Sequence, residues 1–215
     1  MQAGQMQRHQ TNSRIAKRTG PAIIPPMLIR EETEKDFAAI GALNRAAFGG
    51  DYEAVLVEKL RAANLVITSL VAVEGNKTIG HILFSKLPVE VDGRAVNAAA
   101  LAPMAVKPNH QRQGVGTKLI EAGLARLREK PVDAVLVVGH KAYYPRFGFT
   151  ADHTRKLMSP FQGMAQFMAL ELKPGALAGH KGTVTYPEPF GLSNRVGRAT
   201  MSQLLPQAQR LAPEA

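Results

Sequence analysis

The chain has 215 residues, 45% of them hydrophobic, no cysteine and a formal charge of +10. That length supports one domain with a buried core plus tails. The missing cysteines exclude disulfides, Cys-bound zinc and thiol nucleophiles, in keeping with a cytoplasmic protein. No apolar run reaches the roughly 18 residues of a membrane-spanning helix, since Leu65 to Val73 is interrupted by Thr68 and Ser69. The six histidines form no pair at metal-ligand spacing, so no metal is expected.

The positive charge is unevenly placed. Residues 1–30 hold Arg8, Arg14, Lys17, Arg18 and Arg30 without one acid. Residues 1–26 end in Pro25-Pro26 and have neither helical periodicity nor a secretory apolar core, so they read as a disordered basic extension. A transit peptide or a nucleic-acid-binding arm is the competing reading. The segment has no apolar stripe and no interleaved aromatics for base stacking, which disfavours both.

From Met27 the pattern sharpens. Met27 to Arg30 is a short strand candidate, and Thr33-Glu34-Lys35-Asp36 opens a helix running to about Phe48. A second helix is expected from Tyr52 to Ala63, with Val55, Leu56 and Leu60 apolar, and Asn64 ends it. Leu65–Val73 and Thr78–Leu87 are β-branched, apolar runs joined by the turn Glu74-Gly75-Asn76-Lys77, and Asp92-Gly93 marks a second hairpin. Ala95 to Val106 then reads as a long strand of small residues with Pro103 inside it. Proline cannot donate to a ladder, so this position predicts an edge or a bulge.

Val115, Leu119, Leu124 and Leu127 form the stripe of a helix that stops at Glu129-Lys130-Pro131, and Val132–Val138 is a buried strand. Strand, helix, strand is a crossover that sets its two strands parallel, so the sheet is mixed. Ala142–Phe147 is a helical turn, Phe149 starts a further strand and Gln166–Leu172 is another. Residues 174–215 read as a partly irregular C-terminal extension beyond a domain spanning 27–173.

The chemistry concentrates at Gln111-Arg112-Gln113-Gly114-Val115-Gly116, where strand gives way to helix. A helix start exposes unpaired N–H groups and the positive end of the helix dipole, and glycines let an anion approach the backbone. A Walker loop needs Lys-Ser/Thr after its second glycine, but Thr117-Lys118 stands in the reverse order. The dinucleotide fingerprint needs a third glycine where Leu119 stands, and an acid where Gly139-His140 ends the next strand. Both fail, and a bare Gly-x-Gly also reads as a tight turn with no ligand.

The whole stretch LAPMAVKPNHQRQGVG resembles the GNAT superfamily of acyl-CoA N-acyltransferases, whose Gln/Arg-x-x-Gly-x-Gly/Ala signature follows a strand and opens a helix. The resemblance covers about Met27 to Leu172 in element order. It implies a mixed α/β (α+β) fold, a mostly antiparallel sheet with a splayed parallel strand pair and flanking helices. It also implies that backbone groups of Gln111, Arg112, Gln113, Gly114, Val115, Gly116 and Thr117 hold the pyrophosphate of acetyl-CoA, the co-substrate. Arg112 and Lys118 are candidate charge partners or equally solvated surface cations. Met104, Ala105 and Val106, freed from the ladder near the Pro103 bulge, would pair with pantetheine amides.

The segment GHKAYYPRFGF, residues 139–149, matches the family's Tyr-x-x-x-Gly-Phe. Tyr144 is then the phenol that protonates the leaving thiolate, with Tyr143 its packing neighbour; a register shift of one would swap them. His140 stands where many members carry asparagine. The implied reaction is direct attack of a neutral primary amine, on a small molecule or a protein, with no covalent enzyme intermediate. His140 and His81 are candidate bases, though a lone histidine is more often structural. The acceptor is not identified, and a homodimer is left open. The alternative function is a non-catalytic acyl-CoA-binding module with the same fold.

Overall fold

The computed structural model describes residues 26–192. Nearly all of the expected N-terminal extension, and residues 193–215 of the C-terminal one, lie outside the described residues. The first strand, β1 (Leu28–Glu31), runs into a 3-10 turn at Glu34–Asp36 and then α1 (Phe37–Phe48). The Asp36 carboxylate ties this junction by accepting from Thr33 N–H (2.8 Å) and from both arms of Arg30 (2.7 and 2.9 Å). The bonds from Arg30 hold that carboxyl well below the usual range. Next come α2 (Tyr52–Ala62), β2 (Val66–Glu74), β3 (Lys77–Val91), β4 (Arg94–Val106), α3 (Val115–Arg128) and β5 (Ala134–Val138). The chain then forms β6 (Leu157–Met158), β7 (Phe167–Glu171) and β8 (Gly182–Val184).

The sheet order is β1-β2-β3-β4-β5-β7, antiparallel except where β5 runs parallel to β4; β8 pairs antiparallel with β3 at Val89–Val91, and β6 pairs parallel with β8. The mixed sheet expected from the crossover is present. Phe149 does not start a strand; only a single bridge, Thr150 to Ala169, forms there. Residues 174–192 are not an appendage, because β8 extends the same sheet. The Asp92 carboxylate anchors them by accepting from His180 N–H (2.9 Å) and Lys181 N–H (3.1 Å).

Each sheet face carries its own core. Helices α1 and α2 cover Val71, Leu83, Ala98, Ala100 and Leu136, while α3 covers Leu70, Ile82, Phe84, Ala99 and Val135 from the other side. The buried stripe Val115, Leu119, Ile120, Leu124 and Leu127 gives α3 its inner face, at about 1.5–3 kcal/mol per fully buried large aliphatic side chain. Two glycines set its height: a Cβ at Gly123 would overlap the Phe84 ring, and one at Gly80 would crowd Leu119 and Val115.

Pro103 sits where the sequence predicts a bulge. Ile82 pairs with Met104 but Phe84 pairs with Leu101, so β4 carries one more residue than β3 across that interval. The extra residue flips the side-chain alternation. Ala98, Ala100 and Ala102 face α1 and α2, whereas Met104 and Val106 face α3. Ala105 is turned under α1 against Leu43 and Phe48. Beside the bulge, β4 and β5 stop pairing: their register runs only from Ala98–Ala134 to Ala100–Leu136. Beyond that point β4 stays with β3 and β5 stays with β7, so a gap opens between them. No helix among the described residues is long and apolar enough to cross a membrane.

One polar cluster lies under the α2 side of the sheet. Glu32 accepts from Arg61 (2.6 and 2.9 Å) and from the Ser69 hydroxyl (2.6 Å), and Ser69 Oγ lies 2.9 Å from His81 Nε2. Burial pushes the Glu32 carboxyl up, yet the neighbouring His81, Arg61 and Ser69 groups outweigh it and bring it to about 2. Burial pushes the fully enclosed His81 imidazole below its ordinary 6.5. Both shifts remove stability on acidification: His81 contributes fully above 6.5 and less as pH falls below it, and Glu32 contributes above 4.5 and less as pH falls toward 2. Denaturant titrations should therefore show the unfolding free energy falling from pH 7 to pH 5. His81→Asn should flatten that slope, and a slope unchanged by the substitution would contradict the assignment.

Candidate active site

The bulged end of β4 leads into loop 107–114 and then α3. A 3-10 turn at Pro108–His110 precedes two residues in left-handed backbone, Arg112 (φ 59°) and Gly114 (φ 81°). Gln111 Nε2 donates to the Val106 carbonyl (3.1 Å) and Gln113 Nε2 donates to the Asn109 carbonyl (3.0 Å). The motif's glutamines thus brace the loop with their side chains. Lys118 N–H donates to the Gly114 carbonyl (3.1 Å), so the N–H groups of Val115, Gly116 and Thr117 precede the helix ladder and have no intrahelical acceptor.

A cleft of about 630 Å³ opens in front of this helix start. Of the predicted positions, Met104, Val106, Gln111, Arg112, Gly114, Gly116 and Thr117 line it. Ala105, Gln113 and Val115 do not: Ala105 is buried under α1, Gln113 is exposed and Val115 packs into the core toward Gly80. What those three can offer a ligand is main chain. Lys118 is also outside the lining, and a second cation, Arg146, is inside it. Arg146 stacks over the Tyr143 ring at 4.4 Å and donates from Nε to the Tyr143 carbonyl (3.3 Å). Nothing in the sequence separates Arg146 from an ordinary surface arginine.

The two tyrosines have parted. Tyr143 lines the cleft, and its hydroxyl would lie 2.9 Å from a Cβ at Gly116. Tyr144, the expected proton donor, is absent from the lining and only 2% exposed. Its ring fills the space that Gly139 leaves at the end of β5, with Cζ 3.0 Å from where a Cβ would stand, and it meets Phe149 edge to face. The ring therefore lies just past the end of β5, three residues beyond its last pair with β4. Burial raises the Tyr144 phenol well above its ordinary value, which keeps it protonated. Of the candidate bases, His140 lines the cleft, while His81 is fully buried with Nε2 on Ser69, away from it.

The gap has a second mouth, on the α1–α2 face. A small cavity there is lined by Ala102 and Val138 from the parting strands, Tyr52 and Leu56 from α2, and Tyr186 and Phe190 from the C-terminal segment. No sequence signal pointed to it, since its walls come from five separated stretches.

A strand gap with an anion-ready helix start on one face and an apolar cavity on the other is an arrangement for joining a phosphorylated donor to a second molecule. The family model for the acetyltransferase (GNAT) domain matches residues 28–151. The chain belongs to the GNAT acetyltransferase family. It is 38% identical to the uncharacterized N-acetyltransferase YhbS of Escherichia coli K12 over 167 residues, 76% of this chain and 98% of that protein. Among solved structures, Escherichia coli YhbS in complex with CoA aligns with a TM-score of 0.71 at 36% identity, over 84% of this chain and 99% of that one. A Brucella melitensis GNAT acetyltransferase in complex with acetyl-CoA aligns with a TM-score of 0.63 at 35% identity, over 77% and 98% of the respective chains. The expected GNAT fold and N-acetyltransferase class are thereby established.

The seating of Tyr144 against Gly139 is open to a direct test. Gly139→Ala must displace the ring or the strand end, and it should lower the unfolding free energy by about 1–3 kcal/mol. Chemical denaturation that finds the variant as stable as the parent would refute this packing.

Proposed function

We propose that the enzyme transfers the acetyl group of acetyl-CoA to a primary amine by direct attack within a ternary complex, in the cytoplasm where the donor is made available. The observation that carries the reading is the gap between β4 and β5, headed by the Gly114–Gly116 helix start. The first-turn N–H groups and helix dipole suit a pyrophosphate, and Arg112 and Arg146 supply positive charge at the cleft wall. The pantetheine arm then runs along Met104–Val106, on the edge of β4 that β5 has left. This route delivers the thioester to the strand fork.

There the amine nitrogen attacks the thioester carbonyl, the carbon–sulfur bond breaks and the thiolate leaves with a proton. Juxtaposition supplies most of the rate, and main-chain N–H groups polarise the carbonyl. In this reading Tyr144 donates the proton, because its ring packs against Gly139 at the end of the parted β5 arm and burial keeps the phenol protonated. Tyr143, near Gly116 and Met104, instead forms a wall of the pantetheine channel.

Gly114→Glu places a carboxylate at the anion site and a side chain at a left-handed position; calorimetry should find acetyl-CoA binding abolished, and unchanged affinity would defeat the cradle. The tyrosines separate by kinetics. Tyr144→Phe should reduce kcat at least tenfold with acetyl-CoA affinity retained, whereas Tyr143→Phe should mainly raise KM for acetyl-CoA. The opposite pattern would exchange their roles, and full activity in both variants would remove a phenol from the mechanism.

A further inference from the structure

One cation of the donor cleft is exposed and yet held in place. Arg146 lines the cleft with its side chain open to solvent, where an arginine ordinarily keeps its rotamer freedom. Here the guanidinium lies over the Tyr143 ring at 4.4 Å, stands 5.7 Å from the Phe147 ring centroid, and donates from Nε to the Tyr143 carbonyl at 3.3 Å. Stack and bond fix the planar fork before a ligand arrives. Its two Nη groups find no acceptor among the described residues, so the outer edge of the fork remains available.

Tyr143 owes its own position to Gly116. A Cβ there would stand 2.9 Å from the Tyr143 hydroxyl, with Met104 Cε at 3.6 Å and Val106 Cγ2 at 3.7 Å, and the Thr117 side chain is the hydroxyl's other neighbour. The ring thus reaches across to the first turn of α3 and carries Arg146 on its face. The motif's second glycine admits a phenol as well as leaving the backbone open to an anion. Arg112 and Arg146 are the cations among the described lining residues, and no acid stands beside them there.

The covalent structure of the donor separates the roles of these two arginines. In coenzyme A the pyrophosphate joins the pantetheine arm to the 5′ position of a ribose, and that ribose carries a further phosphate at its 3′ position. With the pyrophosphate on the Gly114–Gly116 helix start and the pantetheine in the strand gap, the ribose is left on the solvent side of the cleft, the side on which Arg146 is exposed. Arg112, in left-handed backbone two residues before Gly114, stays with the helix start. A phosphate monoester carries about −1.5 to −2 charges at pH 7, and a guanidinium fork meets two of its oxygens at once. We propose that Arg146, seated on the Tyr143 ring, reads the ribose 3′-phosphate and makes the protein select coenzyme A thioesters over their 3′-dephospho counterparts. The inference rests on the acetyl-CoA reading above.

The test is calorimetry on the full chain with two probes, coenzyme A and dephospho-CoA, which lacks only the 3′-phosphate. The parent should bind coenzyme A about tenfold or more tightly than dephospho-CoA, the worth of a charge-assisted bond. Arg146 is exposed, so Arg146→Ala leaves the core untouched; it should weaken coenzyme A alone and bring the two affinities within about twofold of each other. Arg112→Ala should weaken both probes alike and keep the preference. Tyr143→Leu, which removes the ring under the guanidinium, should lower the preference, whereas Tyr143→Phe keeps the ring and should keep it. A parent without preference would overturn the proposal, and equal weakening of both probes by Arg146→Ala would do the same by assigning Arg146 to the pyrophosphate; either result leaves acetyl-CoA binding standing. A parent that binds neither probe would overturn the donor reading as well. Full preference in Tyr143→Leu would overturn the seating role of the ring.

Discussion

Beyond Ala100 and Leu136 the parallel strands β4 and β5 no longer share hydrogen bonds, and each continues with its antiparallel partner on the far side. The bulge at Pro103 lies on the β4 arm of this fork, where a residue without an N–H interrupts the ladder and adds one position to the strand. A main-chain edge exposed in the middle of a sheet must find other partners. Here it borders two openings, one on each face of the sheet.

The two openings differ in chemistry because different elements border them. On the α3 face the strand ends at a helix start, which contributes N–H groups and a positive dipole end, with Arg112 and Arg146 nearby. On the α1–α2 face the walls are aliphatic and aromatic. The flip in alternation caused by the extra β4 residue sorts the strand between them: Ala102 belongs to the apolar mouth, and Met104 and Val106 to the charged one. Small residues let both faces close on the fork. Gly80 and Gly123 bring α3 down onto β3, and Gly139 admits the Tyr144 ring at the end of β5. The buried Glu32–Arg61–Ser69–His81 cluster ties α2 to β2 and β3 without reaching either opening.

The C-terminal segment completes the apolar mouth. It is pinned at Asp92 by main-chain N–H groups of His180 and Lys181, crosses the far half of β3 as β8, and delivers Tyr186 and Phe190 to α2. The aromatic wall is thus continuous with the sheet, which gives it a defined position relative to the fork.

Local rules made much of this legible in the residues themselves. Thr33 and Asp36, the apolar periods of α1, α2 and α3, the turns at Gly75 and Gly93, and Pro103 as a bulge each follow from constraints acting within a few positions. From Gln111 to Gly116 spacing excluded the two other phosphate loops by the same logic, and the resemblance to the GNAT superfamily carried the anion-site expectation. The parting of Tyr143 from Tyr144 was not legible: adjacent tyrosines at the start of a 3-10 turn are separated only by which one finds room, and that room is the missing Cβ of Gly139 at the end of β5. Arg146 joined the cleft through its stacking on Tyr143, and the apolar cavity assembled from α2, both parting strands and residues beyond 160. The amino-acid sequence by itself determined most of the elements and the glycine-lined helix start, since periodicity, turn chemistry and helix ends are short-range. Only the tertiary structure decided which phenol meets the cleft and which residues wall the second mouth, because those depend on van der Waals space that forms only when separate segments pack together.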